Sequence, residues 1–237
     1  MAPHFPLHQE KIELKVADGS MMAAYSTHPV DGKQHPGIIV VQEAFGVNSH
    51  IRKVADRLAQ EGFAAIAPEL FHRTAPGFVG NYNDFPSVMP HVQAVTEVTA
   101  EADLNATCDW LRAQANVKPG ELFSVGFCMG GKVSFLANAL LPLRAAVSFY
   151  GGGIAPGLLH RASALHAPML LFWGGLDKHI TAELRQAVVE ALKTHGKTYV
   201  NVEFSNADHG FFNDERAAYQ PQAARQAWNL MLEFLRS

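Results

Sequence analysis

Short apolar runs recur along this chain, several rich in β-branched residues, and between them lie segments whose apolar residues repeat at helical spacing. No other feature limits the fold as much. The run Gly37-Ile38-Ile39-Val40-Val41-Gln42 lacks the polar alternation of a half-exposed strand and reads as a strand buried on both faces. Residues 63–67, stopped by Pro68, form a second such run, and 121–126, 145–150, 169–173 and 199–204 complete the set. Upstream, 11–16 and 21–26 read as two strands joined by the turn residues Ala17-Asp18-Gly19-Ser20. In 49–60 the apolar residues Ile51, Val54, Ala55 and Leu58 recur at helical spacing, and further helices are predicted over 92–115, 129–140, 182–194 and 217–235. The stretch 69–90 holds Pro76, Gly77, Gly80, Pro86 and Pro90 among several aromatics and reads as a long irregular excursion. A hairpin followed by strand–helix alternation predicts an α/β fold, a mostly parallel central sheet with helices on both faces. With no internal repeat or linker in view, one domain over 1–237 is expected, with 1–9 as a flexible N-terminal arm.

Composition narrows the functional classes. Hydrophobic residues make up 48% and charged residues 17% of 237, enough to build a substantial core. The formal net charge is −3 and the basic residues are scattered, so neither nucleic acid nor an anionic membrane surface is an expected partner. The opening MAPHFPLHQEKIEL has no basic head and no apolar stretch, unlike a secretory signal, and 145–159 is too broken by glycine and proline to span a bilayer. Two cysteines in a chain of this length do not make a disulfide framework, and the cytoplasm is the expected compartment.

The predicted strand 121–126 runs into Gly126-Phe127-Cys128-Met129-Gly130-Gly131 and then a helix. This is the setting of a nucleophile elbow, with cysteine where serine is usual. The turn must be tight enough to strain the nucleophile's backbone, so residues two away must lack bulk, which Gly126 and Gly130 satisfy. A helix starting at Met129 would point its positive end at Cys128 and favour a thiolate and an adjacent oxyanion. Taken alone, the same residues also fit a buried structural thiol between packing glycines. A phosphate cradle fits less well, because neither G-x-G-x-x-G nor a P-loop lysine pattern is present. Cys108 lies mid-helix and reads as packing.

A nucleophile needs a base, and the base an orienting acid. Downstream, 169–173 leads into Gly174-Gly175-Leu176-Asp177, and 199–204 leads into Ser205-Asn206-Ala207-Asp208-His209. Cys128, Asp177 and His209 thus each leave the carboxyl end of a predicted strand, in the order nucleophile, acid, histidine. Asp208 is the rival acid, badly placed by adjacency to bond its neighbour's ring. His179 stands close enough to Asp177 to touch such a site, although a loop role is the simpler reading. The other histidines, including His4 and His8 at the terminus, form no metal-ligand pattern, so no metal and no cofactor is expected.

These residues resemble the dienelactone hydrolase (carboxymethylenebutenolidase) family of the α/β-hydrolase superfamily. The resemblance rests on Gln42-Glu43-Ala44-Phe45-Gly46, Pro68-Glu69-Leu70-Phe71, the Cys128 elbow, Tyr150-Gly151, Gly174-Gly175-Leu176-Asp177 and Asp208-His209-Gly210-Phe211. It implies an α/β-hydrolase fold and a triad of Cys128, His209 and Asp177. It further implies an oxyanion hole from the backbone N–H groups of Ala44 and Met129, Glu43 beside the resting thiol, and Phe45 and Tyr150 lining the pocket. Read from the residues alone, Glu43 could simply complement the start of the following helix. The implied activity is hydrolysis of small activated esters or lactones through a cysteine acyl-enzyme, by a monomer or homodimer. A general carboxylesterase or thioesterase is the alternative, and a thiol redox sensor without catalysis is a third reading.

One departure bears on substrate. The family holds its substrate's carboxylate with two arginines, one between the second buried strand and the next helix, the other four residues after the catalytic histidine. Here no Lys or Arg occurs from Thr74 to Leu111, and the position four after His209 is Asn213. Arg73 and Arg216 are the nearest cations, but neither falls at a matching position. Phe78, Tyr82 and Phe85 instead suit apolar or aromatic substrate bodies.

Overall fold

A computed structural model describes residues 6–237. The fold is α/β, with an eight-stranded, mostly parallel sheet and six α-helices among the described residues. Its residues group into two compact units, one ending at Ser124 and the other beginning at Val125.

In the first unit, β1 (Leu7–Lys15) and β2 (Met21–Pro29) pair antiparallel, β2 pairs antiparallel with β4 (Ala64–Pro68), and β4 lies parallel to β3 (His35–Val41). Strand β1 begins four residues before its expected start and ends one residue early, and β2 begins where expected but runs three residues further. Residues 7–9, expected as part of a flexible arm, are instead paired with Pro29, His28 and Thr27. The rest of that arm, and His4 with it, lies outside the described residues apart from Pro6. The core of β3 is apolar throughout, with Ile38, Ile39, Val40 and Val41 fully buried. Helix α1 (Ser49–Gln60) has the expected bounds, and the Ile51 N–H donates to the side chain of its N-cap, Asn48.

The excursion 69–90 is more ordered than its prolines suggest. Helix α2 (Phe85–Ala94) starts there, with Asp84 as N-cap, Pro86 in its first turn and Pro90 inside. Proline is tolerated in the first turn, where no intrahelical partner awaits its missing N–H, but its presence obscures helical periodicity in a sequence. The single helix expected over 92–115 is therefore two, because the chain breaks at Val95 and restarts as α3 (Glu97–Ala113) behind a Thr96/Thr99 capping box. Cys108 is buried on α3, and burial raises its thiol pKa.

Strand β5 (Val117–Phe127) begins four residues before its expected start, with residues 118–120 exposed and Gly120 at φ 75°, and passes from the first unit into the second. The second unit continues with α4 (Met129–Leu140), β6 (Ala145–Phe149), a short 3₁₀ helix (Leu159–Ala164) that no sequence signal announces, β7 (Met169–Gly174), α5 (Ala182–Thr194), β8 (Tyr199–Phe204) and α6 (Pro221–Arg236). Strands β6, β7 and β8 are parallel neighbours in that order. Helices α4 and α5 have the expected bounds, whereas α6 starts late because Pro221 supplies its first turn. Every residue of β6 and β7 is buried. At roughly 1.5–3 kcal/mol for each large apolar side chain removed from water, these strands anchor the unit. Among the described residues no helix is long and apolar enough to cross a membrane.

Candidate active site

The second unit gathers its reactive side chains at the carboxyl ends of successive strands, where open α/β sheets place ligands. Cys128 follows β5 directly and is the N-cap of α4, with φ 55° and ψ −117°. A non-glycine residue in that region stores about 1–3 kcal/mol of strain, so surrounding bonds must hold it. They do: the Cys128 N–H donates to the Phe149 carbonyl at 3.0 Å, and the Cys128 carbonyl accepts from Gly131 at 2.9 Å. Gly126 is required because a Cβ there would fall on the Gly130 carbonyl oxygen. The thiol is half-buried, unlike that of Cys108. Met129, immediately downstream, is buried and opens the helix, so its amide has no carbonyl four residues back inside the helix to bond.

Two loops meet beside this elbow. The Gly175 N–H donates to Phe204 and the Leu176 N–H to Ala207, joining the chain after β7 to the chain after β8. The approach is so close that a Cβ on Gly174 would meet the Ala207 carbonyl oxygen at 2.7 Å, and one on Gly175 the Ser205 Cα at 2.7 Å. Side chains 32 residues apart are thereby brought into contact: His209 Nδ1 donates to Asp177 Oδ2 at 2.7 Å. The other oxygen of Asp177 accepts from the His179 and Ile180 amides at 2.8 and 3.0 Å. The carboxylate is thus fully engaged and locked in orientation.

The electrostatics arise from these contacts. Burial alone would raise the Asp177 carboxyl, but the His209 bond and charge and the two loop amides outweigh it and hold the group below its ordinary range. Burial alone would likewise discourage a charged His209. The Cys128 sulfur and the Asp177 carboxylate reverse that and push its pKa up to about 10. Asp208 takes no part in this. It is exposed, and its carboxylate accepts from the His209 backbone N–H at 2.6 Å, a turn-stabilising bond.

Tyr150 is fully buried, has φ 39°, and its ring centre lies 5.1 Å from that of His209. His179, a loop residue two positions after Asp177, also stands beside His209, edge-on with ring centres 5.7 Å apart. In the first unit, Glu43, Ala44 and Phe45 follow β3 and are all buried. Phe45 packs edge-on against Tyr82 at 4.7 Å, and Ala44, Phe45 and Val88 form a small core covered by Phe78, Tyr82 and Val92.

Two features lie beyond the sequence reading. Arg73 commits all three guanidinium nitrogens, Nε to Asp18 at 2.7 Å and the others to the two oxygens of buried Asp103 at 2.9 and 2.8 Å. Asn48 Nδ2 donates to the Tyr82 hydroxyl at 2.8 Å. No local pattern marks the first, whereas an asparagine just before a helical segment could have pointed to Asn48 as a cap.

The sequence matches the dienelactone hydrolase family over residues 22–237. A Synechocystis sp. protein named "Putative carboxymethylenebutenolidase" is 38% identical over 218 residues, spanning 87% of this chain and 88% of the relative. A protein of the same name from Escherichia coli (strain K12) is 34% identical over 233 residues, 93% of this chain and 84% of its own length. The crystal structure of a "Putative Dienelactone Hydrolase" from Klebsiella pneumoniae superposes with a TM-score of 0.90 at 32% identity, covering 98% of this chain and 99% of that one. Agreement in sequence over nearly the whole length, and in fold to the same extent, places this chain in the dienelactone hydrolase family.

Proposed function

We propose that this protein hydrolyses small activated esters or lactones by acyl transfer through Cys128. The reading is carried by one observation, a strained cysteine at the N-terminus of α4 coupled to an imidazole whose other nitrogen is bonded to a buried carboxylate. The Cys128 sulfur attacks the carbonyl carbon, and the carbonyl electron pair moves onto oxygen. The Met129 amide, and by family resemblance that of Ala44, donate hydrogen bonds to the oxyanion. As the tetrahedral centre collapses, the C–O bond breaks and the leaving oxygen takes a proton from the His209 imidazolium. Neutral His209 then removes a proton from water, which attacks the thioester and releases the acid and the Cys128 sulfur. Asp177 remains ionised and fixes the imidazole tautomer. Glu43 is assigned by the same resemblance to partner the resting thiol. An enol or phenol departs with little help, so activated esters and lactones suit a sulfur nucleophile better than amides, and the carboxymethylenebutenolidase names of the relatives agree with that class. A redox sensor would need no oriented base, so the His209–Asp177 bond favours hydrolysis.

The test is hydrolysis of p-nitrophenyl acetate during alkylation by iodoacetamide. Activity is expected to fall in step with the alkylation of Cys128 as tracked by mass spectrometry. Full alkylation of Cys128 with activity intact would overturn the reading.

Substrate charge gives a second expectation. Arg73 is consumed by Asp18 and Asp103, and Asn213 is a buried neutral amide. A neutral amide does not replace the bidentate, charge-assisted grip of a guanidinium, and a carboxylate that enters the site without one loses hydration that nothing repays. A neutral methyl ester of a lactone acid is therefore expected to exceed the free acid in kcat/KM by about tenfold or more. A preference for the acid would contradict this and implicate Arg216, whose guanidinium lies against Gly210.

A further inference from the structure

Between β4 and α2 the chain doubles back across the loop that follows β3. The Gly80 N–H donates to the Phe45 carbonyl at 3.1 Å. At Gly46, which has φ +79°, a Cβ would fall on the Phe78 carbonyl oxygen, so the two backbones are in contact there. Two residues further along, the Tyr82 hydroxyl accepts from Asn48 Nδ2 at 2.8 Å, while its ring stands edge-on to Phe45. Asn48 is held from its other side, because its Oδ1 accepts the Ile51 N–H as the cap of α1. Residues 44–47 therefore lie in the connection between β3 and α1 with a strap of residues 78–82 clamped over them.

We propose that this strap sets the direction of the Ala44 N–H, and that Tyr82, through its hydrogen bond to Asn48, is a positioning residue for the oxyanion hole. The inference rests on the functional reading above, which gives the Ala44 amide that task. Loop 44–47 lies in neither a strand nor a helix, so ladder hydrogen bonds do not fix its peptide planes. Hydrogen bonds weaken steeply as their angle closes toward about 120°, so a modest rotation of one peptide misaims a donor. Such a misalignment acts where charge develops, in the transition state, and leaves ground-state binding nearly unchanged. Phenylalanine at position 82 would keep the ring against Phe45 and remove only the hydroxyl.

The experiment is Tyr82→Phe, read against p-nitrophenyl acetate and against a trifluoromethyl ketone, to which the Cys128 sulfur adds reversibly to leave an oxyanion in the same place. The expected result is a drop in kcat of about tenfold, KM within about twofold, and weaker ketone inhibition by the same factor as kcat. The proposal is overturned by a kcat within about twofold of wild type, by a rise in KM alone, or by a kcat loss that ketone binding does not share. Gly46→Ala forces the strap away and should deepen the same two losses. If that variant fails to fold, Tyr82→Phe decides the matter with its melting temperature as the check on folding. Hydrolysis surviving in Cys128→Ala would sink the underlying function instead, so the two failures are distinguishable.

Discussion

Cys128→Ala is expected to lose hydrolysis of p-nitrophenyl acetate by at least about 10³-fold while remaining folded, because removing a nucleophile leaves only binding and oxyanion stabilisation. Folding should survive because alanine bears the same positive-φ strain as cysteine, and the bonds that hold the elbow run through its backbone. Only a half-buried sulfur is removed. Cys108→Ala is the control. Its thiol is buried in α3 and pushed up by burial, so the substitution should leave kcat/KM within about twofold and cost about 1 kcal/mol of stability. Initial rates and circular dichroism on both variants check this. Wild-type turnover in Cys128→Ala would remove the nucleophile assignment, whatever the geometry around it.

The second large effect belongs to the acid. Asp177→Asn keeps an oxygen for the His179 and Ile180 amides but turns an NH2 group toward His209 Nδ1, forcing the wrong tautomer on the base. A loss of about 10³–10⁴-fold in kcat is expected. Asp208→Asn should change kcat by no more than about threefold, since an amide oxygen can still accept the His209 backbone N–H. The reverse ranking would reassign the acid. Stability adds a pH signature to the same pair of proteins. The Asp177 carboxyl is held below its unfolded value, so its ionisation contributes stability above about pH 4 that is lost as pH falls through the lower folded value. The melting temperatures of wild type and Asp177→Asn should therefore differ at neutral pH and converge in acid, where the wild-type carboxyl is also neutral.

Much of this is legible in the chain itself because the signals are local. Buried strands declare themselves as unbroken apolar runs, and α1, α4 and α5 begin and end where the sequence pattern predicts. The elbow needs only a strand, two glycines and a helix within a dozen residues. The order of Cys128, Asp177 and His209 is likewise local, since each lies in the short turn into which a strand runs. Legibility fails where local chemistry misleads: Pro86 and Pro90 hide α2, and the Thr96 cap cuts in two a pattern that reads as one long helix.

Contacts between residues far apart in sequence belong to the tertiary structure alone. Choosing Asp177 over Asp208 depends on which way each carboxylate points, and that is set by two loops drawn together at Gly174 and Gly175. Arg73 is a free cation as far as the sequence can say. Its capture by Asp18 and Asp103, 55 and 30 residues away, makes it a structural tie. The Asn48–Tyr82 bond spans 34 residues and joins a helix cap to an irregular strap. Local propensity limits which elements form, whereas the direction of a side chain is set by packing that no short window contains. The sequence alone therefore determined the strands, the elbow and the residue types available, and folding decided which carboxylate faces His209 and that Arg73 is tied up by two aspartates.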